Sequence, residues 1–305
     1  MSPFKHTTLL AGFVAMLSLH ALAALPVHAA RDTVKLAYVE WSSEIASTNV
    51  VKAVLQEKMG YHCEITAMKA DEMWKAVSEG EVDAMVAAWL PGTHKHYYEQ
   101  YKGSFVDLGP NLEGARIGLV VPNVTLGRQT AATGLRNKPY IAAESISDLE
   151  EYANKFHRMI VGIDPEAGVM KKTEEAMRTY GLDNYTLIKG SEKSMTKALG
   201  EAISKQQWIV VTGWVPHWKF ARWELKFLED PENVYGAQEH INTIVRQGLK
   251  EDMPDVHAFL DNFSWSPEAM GQLMIWIHDD DGMFPYEKAL RYLRTHEDQV
   301  ESWLP

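Results

Sequence analysis

Cysteine is nearly absent: Cys63 is the only one in 305 residues. One thiol closes no internal disulfide, and a cysteine-built metal site needs more than one. Cys63 lies in the strand-like run Tyr61-His62-Cys63-Glu64-Ile65, which predicts a buried, inert thiol. Basic residues are also in deficit, with 30 Lys and Arg against 41 Asp and Glu and a net charge of −11. Nucleic acid is thereby excluded as a partner, because neutralising phosphates takes a basic surface. There is no Gly-x-Ser-x-Gly, no phosphate-cradling glycine loop and no cysteine nucleophile. His94-Lys95-His96 places its two histidines at i and i+2, which diverge on a helix. His278-Asp279-Asp280-Asp281-Gly282 lacks the alternation and closing Glu of a calcium loop. No metal, no cofactor and no catalysis are expected.

Long apolar runs are missing too, beyond the first 29 residues. Lys5 and His6 precede a stretch from Leu9 to Leu25 that holds no acid and no base except His20, and Val27-His28-Ala29 follows. This pattern predicts a secretory signal over residues 1–29. A membrane anchor fits less well, because the run is short, is broken by Ser18 and His20 and ends at Pro26. No later stretch approaches about 18 apolar residues. The rest of the chain is expected free in the periplasm of a two-membraned bacterium, with no cysteine at the cleavage point to carry a lipid.

Tryptophan, by contrast, is plentiful, with 10 in the chain. Most must serve packing, so position decides which do more. Trp89-Leu90-Pro91 follows the apolar run Val82 to Ala88, and Trp214-Val215-Pro216 follows Trp208 to Gly213. Both runs read as buried strands, and a proline two residues on ends each ladder. Each Trp therefore stands at a strand exit, where ligands bind in open α/β sheets.

The two exits belong to an internal repeat. Strand 34–39, loop 40–44, helix 45–59 stopped by Gly60, strand 62–67, helix 70–79 and strand 82–88 lead to Trp89. Strand 158–163, loop 164–168, helix 169–180 stopped by Gly181, strand 185–188, helix 191–205 and strand 208–213 lead to Trp214. Alternating strands and helices imply parallel sheets. A composition that is 46% hydrophobic can fill two cores. Between the copies, 114–121 reads as a strand, 125–140 as a surface insertion and 147–152 as a helix start. After them come a return strand at 241–245 and helices at 254–263, 267–277 and 286–303. The expected architecture is α/β with two lobes, residues 30–122 plus 238–305 and residues 123–237, joined by a two-strand hinge.

An indole face attracts cations, and a quaternary ammonium has no N–H to hydrogen-bond, so a cage of indoles suits it. Trp89 and Trp214 are the expected walls. Trp41, in the loop after the first strand, and Trp265, in Ser264-Trp265-Ser266-Pro267 before a helix, are the candidates for a third. A ligand carboxylate could dock on loop amides where Glu44-Ile45 opens one helix or Glu166-Ala167-Gly168 another. His217, in Trp214-Val215-Pro216-His217-Trp218, could add a hydrogen bond.

These motifs, together with Tyr38-Val39-Glu40-Trp41, Glu44 to Asn49, Trp89-Leu90-Pro91-Gly92-Thr93-His94 and Gly162 to Gly168, resemble the substrate-binding proteins of ABC importers for glycine betaine and related quaternary amines, the OpuAC-like family. The resemblance covers essentially all of the chain after residue 29. It implies a Venus-flytrap fold of type II, a tryptophan cage and, as a monomer, delivery of the ligand to a permease in the inner membrane. Carried onto this chain, the cage is Trp89 and Trp214, completed by Trp265 in a betaine-type site or by Trp41 in a choline-type site. The betaine pattern has a histidine shortly after the third tryptophan, and Ser266 to Gly271 contains none. Glu44 leaves room for a ligand without a carboxylate.

Overall fold

A computed structural model describes Met1, residues 33–124 and residues 139–305. The expected secretory signal and nearly all of the expected insertion at 125–140 lie outside the described residues.

The first copy of the repeat comprises β1 (Thr33–Tyr38), α1 (Ser42–Glu57), β2 (His62–Ala67), α2 (Ala70–Ser78), β3 (Ala84–Leu90) and α3 (Lys95–Tyr101). β4 (Phe105–Pro122) then leads to a 3₁₀ turn at Ile146–Leu149. The second copy comprises β5 (Met159–Val161), α4 (Gly168–Thr179), β6 (Thr186–Ile188), α5 (Glu192–Ser204) and β7 (Val211–Val215). The chain ends with α6 (Lys219–Arg222), β8 (Leu225–Phe227), β9 (Glu239–Arg246), α7 (Leu249–Asp252), α8 (Pro254–Asn262), α9 (Pro267–His278), α10 (Pro285–Thr295) and α11 (Glu297–Trp303).

The strands run in the order β2-β1-β3-β9-β4-β7-β5-β6, with β8 on the side of β4. Within each copy the pairing is parallel, β1 with β2 and β3, and β5 with β6 and β7. The sheets as wholes are mixed, because β4 and β9 pair antiparallel to their neighbours. The parallel expectation fails there because both strands carry the chain back across the molecule between the two copies. β4 is the shared element: Phe105 to Ala115 pairs with β9, and Arg116 to Val120 pairs with β7. Its first half has three register shifts between Asp107 and Ala115, with Gly109 and Gly114 at positive φ. Such bulges bend and twist a strand, which lets one strand serve two sheets.

α1 is the most enclosed helix of the first lobe. Its apolar residues Val50, Val51, Val54 and Leu55 are fully buried, and it packs against β2, α9 and α10. The C-terminal helices therefore cover the first lobe. A single helix over 286–303 does not form. His296 adopts φ −132° and ends α10, so α11 starts afresh. The expected helix start at 147–152 shrinks to a 3₁₀ turn capped by Ser145 and Asp148. Cys63 is buried, as its strand position predicts.

Candidate functional site

The β1–α1 loop is fixed by Trp41 N donating to Val39 O (2.7 Å), and α1 begins as Ile45 N donates to Trp41 O (2.9 Å). Trp41 is the N-cap residue of α1 but supplies no side-chain cap. The first amide of a helix needs an acceptor from elsewhere. Here it comes from the second lobe: Ser42 N donates to Glu192 Oε2 at 2.9 Å, and Ser42 Oγ donates to Glu192 Oε1. Trp218 Nε1 donates in turn to Ser42 Oγ (3.0 Å). Trp41 Nε1 reaches across to Asp164 Oδ2 (3.0 Å). The β1–α1 loop is thus held by three second-lobe side chains.

Trp89 lies near the end of β3, paired with Ile241, just past a register shift between Met85 and Ala88. Trp214 lies in β7, paired with Ile117. Both strands end at their prolines, and Leu90-Pro91 and Val215-Pro216 are cis. Trp41, Trp89 and Trp214 are all buried and line one cavity. Thr93 and His94 wall it on the side of Trp89, and Ile163 and Gly168 on the side of the second lobe. Gly168 meets Thr93 so closely that a Cβ there would fall 2.2 Å from Thr93 O. A wider groove of about 940 Å³ adjoins it, lined by Trp41, Ser42, Ile45, Asp164, Glu192 and Trp218 among others.

The other candidates occupy different places. Glu44 is buried in the first turn of α1 and accepts from Trp89 Nε1 at 2.7 Å and from Ser43 Oγ at 2.5 Å. It holds the Trp89 indole rather than lining the cavity. Burial pushes its carboxyl up to about 7, against the pull of the Ser43 and Trp89 bonds. Ile45 lines the outer groove. Trp265 does not line the cavity. It packs on Phe263 and edge-on to Tyr292, with centroids 5.8 and 5.7 Å apart, and Trp265 N donates to Asn111 O. Its loop is tied to β4, which draws the indole into the first-lobe core.

His217 also stands outside the cavity. Its Nδ1 accepts from Lys219 N (3.0 Å), its Nε2 lies 3.1 Å from Glu192 Oε1, and its ring meets Trp214 edge-on. Burial, reinforced by the Lys219 ammonium, holds it down to about 4, so it is neutral near pH 7. Burial works against ionisation of Glu192, but the His217 side chain and the two Ser42 donors outweigh it and keep the carboxylate ionised. Lys219 is wholly buried with its Nζ 4.0 Å from the Trp214 ring centroid, and burial lowers it to about 7.

Three residues here escape sequence reasoning. Glu192 and Lys219 are not among the residues that the sequence patterns single out. His94 enters only as half of a pair with His96 that diverges on a helix and as the last residue of the Trp89-to-His94 motif. In fact His94 is fully buried, and its Nδ1 accepts from Trp89 N (3.2 Å) and Trp74 Nε1 (3.4 Å). A His shortly after a strand-ending Trp-x-Pro was the available signal. Among the described residues no group of His, Cys, Asp and Glu could hold a metal ion.

Two lobes that share β4, with a cavity walled by three indoles where their β3 and β7 strands end, define a solute-binding protein of the two-lobed type II fold. The chain matches, over residues 32–295, the OpuAC family, the substrate binding domain of ABC-type glycine betaine transport systems, and it belongs to that family. Lactococcal OpuAC, solved closed and complexed with glycine betaine, superposes with a TM-score of 0.80 at 40% identity, covering 90% of this chain and 99% of that one. The glycine/betaine/L-proline-binding protein ProX of Borrelia burgdorferi gives 0.80 at 37% identity, over 90% and 97%. The glycine betaine/carnitine transport binding protein GbuC of Listeria monocytogenes is 42% identical over 175 residues, 57% of this chain and 56% of GbuC. The chain thus spans about half the length of that curated relative. No described helix is long and apolar enough to cross a membrane.

Proposed function

We propose that the protein is the solute-binding component of an ABC importer and captures a quaternary ammonium compound in a cage of Trp41, Trp89 and Trp214. The observation that carries this reading is that three buried indoles from different strand exits line one cavity with no carboxylate among its walls. Each indole face contributes roughly 0.5–2 kcal/mol to a cation it covers. The relatives named glycine betaine binders support the same class of ligand. The protein acts as a monomer in the periplasm, after removal of its secretory signal, and hands its ligand to a permease in the inner membrane. The two lobes divide at β4 and between β8 and β9. The reading gives the protein no catalytic role.

Titration with glycine betaine, carnitine, choline and dimethylsulfoniopropionate, followed by tryptophan fluorescence, tests the reading. Saturable binding of at least one is expected, and no response to any would refute it. Trp89→Ala and Trp214→Ala should each weaken binding at least about tenfold. A choline-type ligand is the second reading, and Trp41 favours it, because that tryptophan rather than Trp265 lines the cavity.

A further inference from the structure

The Trp89 side of the proposed cage is held from a hinge strand. After Trp89 the chain passes Pro91, which has no N–H, and the next two amides turn towards β9. Gly92 N and Thr93 N both donate to Glu239 Oε1, at 3.1 and 2.7 Å, and Thr93 Oγ1 donates to Glu239 Oε2 at 2.5 Å. Three donors on two oxygens suit a carboxylate, which accepts at both and donates at neither. Burial pushes the Glu239 carboxyl up, and the Thr93 and Gly92 donors pull it back. The approach is so close that a Cβ on Gly92 would fall 2.6 Å from Glu239 Oε1, so the loop needs glycine there.

Glu239 is buried and is the first residue of β9, where the chain returns from the second lobe. It pairs with Ala115 of β4, and His240 beside it pairs with Leu90 of β3. Thr93, the residue it grips, lines the cavity and faces Gly168 of α4, where a Cβ would fall 2.2 Å from Thr93 O. One carboxylate thus ties a hinge strand to the wall on which the second lobe closes. From this geometry we infer that Glu239 is a positioning residue, which fixes the Gly92–Thr93 wall relative to the hinge and so sets how closely the second lobe closes on the ligand. Glu239 does not line the cavity, so it acts through Thr93. The inference rests on the proposed quaternary-amine cage and identifies what holds one of its walls. A loose wall would give way under Gly168 and would no longer define the closed cavity.

The test is a double-mutant cycle between Glu239 and Gly168, with Thr93 between them. Wild type is titrated calorimetrically with glycine betaine and with choline, and the tighter probe is carried through. Glu239→Met keeps the volume and removes all three acceptor contacts, so affinity should fall about tenfold or more. Glu239→Gln should recover most of it, because its amide oxygen accepts from Gly92 N and Thr93 N while its NH₂ donates to the Thr93 hydroxyl. Gly168→Ala should weaken wild type and Glu239→Gln by roughly fivefold to a hundredfold, and Glu239→Met by less than about twofold, because the freed wall yields to the added methyl. Equal Gly168→Ala penalties in wild type and Glu239→Met would reduce Glu239 to a general stabiliser and overturn the inference. So would wild-type affinity in Glu239→Met, or a wild-type background that tolerates Gly168→Ala without loss, since the wall would then yield with Glu239 in place. Should Glu239→Met fail to fold, Thr93→Val removes one of the three donors and keeps the branched side chain; the Gly168→Ala penalty should shrink there too, and an unchanged penalty overturns the inference. Failure of wild type to bind either probe overturns the cage reading and this inference with it.

Discussion

Ser42 and Glu192 stand 150 positions apart in the chain, yet the Glu192 carboxylate caps the first amide of α1 at 2.9 Å. An anion at a helix N-terminus satisfies an orphan N–H and complements the helix dipole. Here cap and helix belong to different lobes, so the bond exists only while the lobes are together. His217 packs behind the carboxylate, and Trp218 shares the Ser42 hydroxyl, which makes the contact a clasp rather than a lone pair.

Removing the clasp with Glu192→Ala should therefore shorten the lifetime of the ligand complex. Charge-assisted hydrogen bonds contribute about 1.5–3 kcal/mol each, so the dissociation rate should rise at least about tenfold. The association rate should change little, because the bond is made after capture. Stopped-flow tryptophan fluorescence separates the two rates. A dissociation rate equal to wild type would show that the lobes stay together without Glu192.

Glu44 makes binding and stability depend on pH in opposite directions. Its folded value is raised to about 7 from an unfolded 4.5. A raised carboxyl binds more protons in the folded state, so its stabilising contribution is full below pH 4.5 and is lost as pH rises through about 7. The loss amounts to at most roughly 3 kcal/mol. A cation in the cage favours the ionised carboxyl, so affinity should climb several-fold over the same interval. Melting temperatures and dissociation constants at pH 5.5 and pH 8, on wild type and Glu44→Gln, check both signs. The variant should show neither slope, and a variant that kept both would place the titration elsewhere.

Much of this arrangement was legible in the sequence because it is local. Trp89 and Trp214 sit at strand ends marked by their own prolines, and the repeat that makes them equivalent follows from hydrophobic periodicity. Contacts between distant segments were not legible. Nothing near Glu192 marks it as the cap of a helix 150 positions away. Trp41 and Trp265 could not be ranked, because the choice turns on the core contact of Trp265 with Tyr292. The strand expected at 114–121 runs in fact from Phe105 to Pro122, 18 residues, since Gly109, Pro110 and Gly114 signal turns and in fact mark bulges. Lys219 defeats the general rule that lysine stays at the surface.

Gly168 tests how closely the lobes must meet. A Cβ at this position would lie 2.2 Å from Thr93 O and 2.4 Å from Thr93 Cγ2, with carbonyl backbone as the obstacle. Gly168→Ala should hold the lobes apart at the cavity. Forced overpacking costs about 1–3 kcal/mol, or roughly fivefold to a hundredfold in affinity. Each lobe keeps its own core, so the melting temperature without ligand should stay close to wild type. Calorimetric binding paired with differential scanning calorimetry checks the split. Unaltered affinity would mean that the Thr93 loop yields without cost.

Lys219 should be the opposite case, a residue whose loss strengthens the fold. Its Nζ is buried with no hydrogen-bond partner among the described residues and rests on the Trp214 ring at 4.0 Å. Burial lowers it from 10.5 to about 7. A depressed ammonium leaves the unfolded state binding more protons between those values, so wild-type stability rises as pH climbs from about 7 towards 10.5. The penalty is greatest below pH 7, where the amine must be charged in a dry site or the proton given up. Lys219→Met keeps the volume and removes the charge. It should raise stability by a few kcal/mol at pH 6, on the order of what an uncompensated buried charge costs. The gap should narrow by pH 9.5. Urea unfolding at the two pH values measures it, and a Lys219→Met protein less stable than wild type at pH 6 would show that the contact with Trp214 outweighs the desolvation of the ammonium.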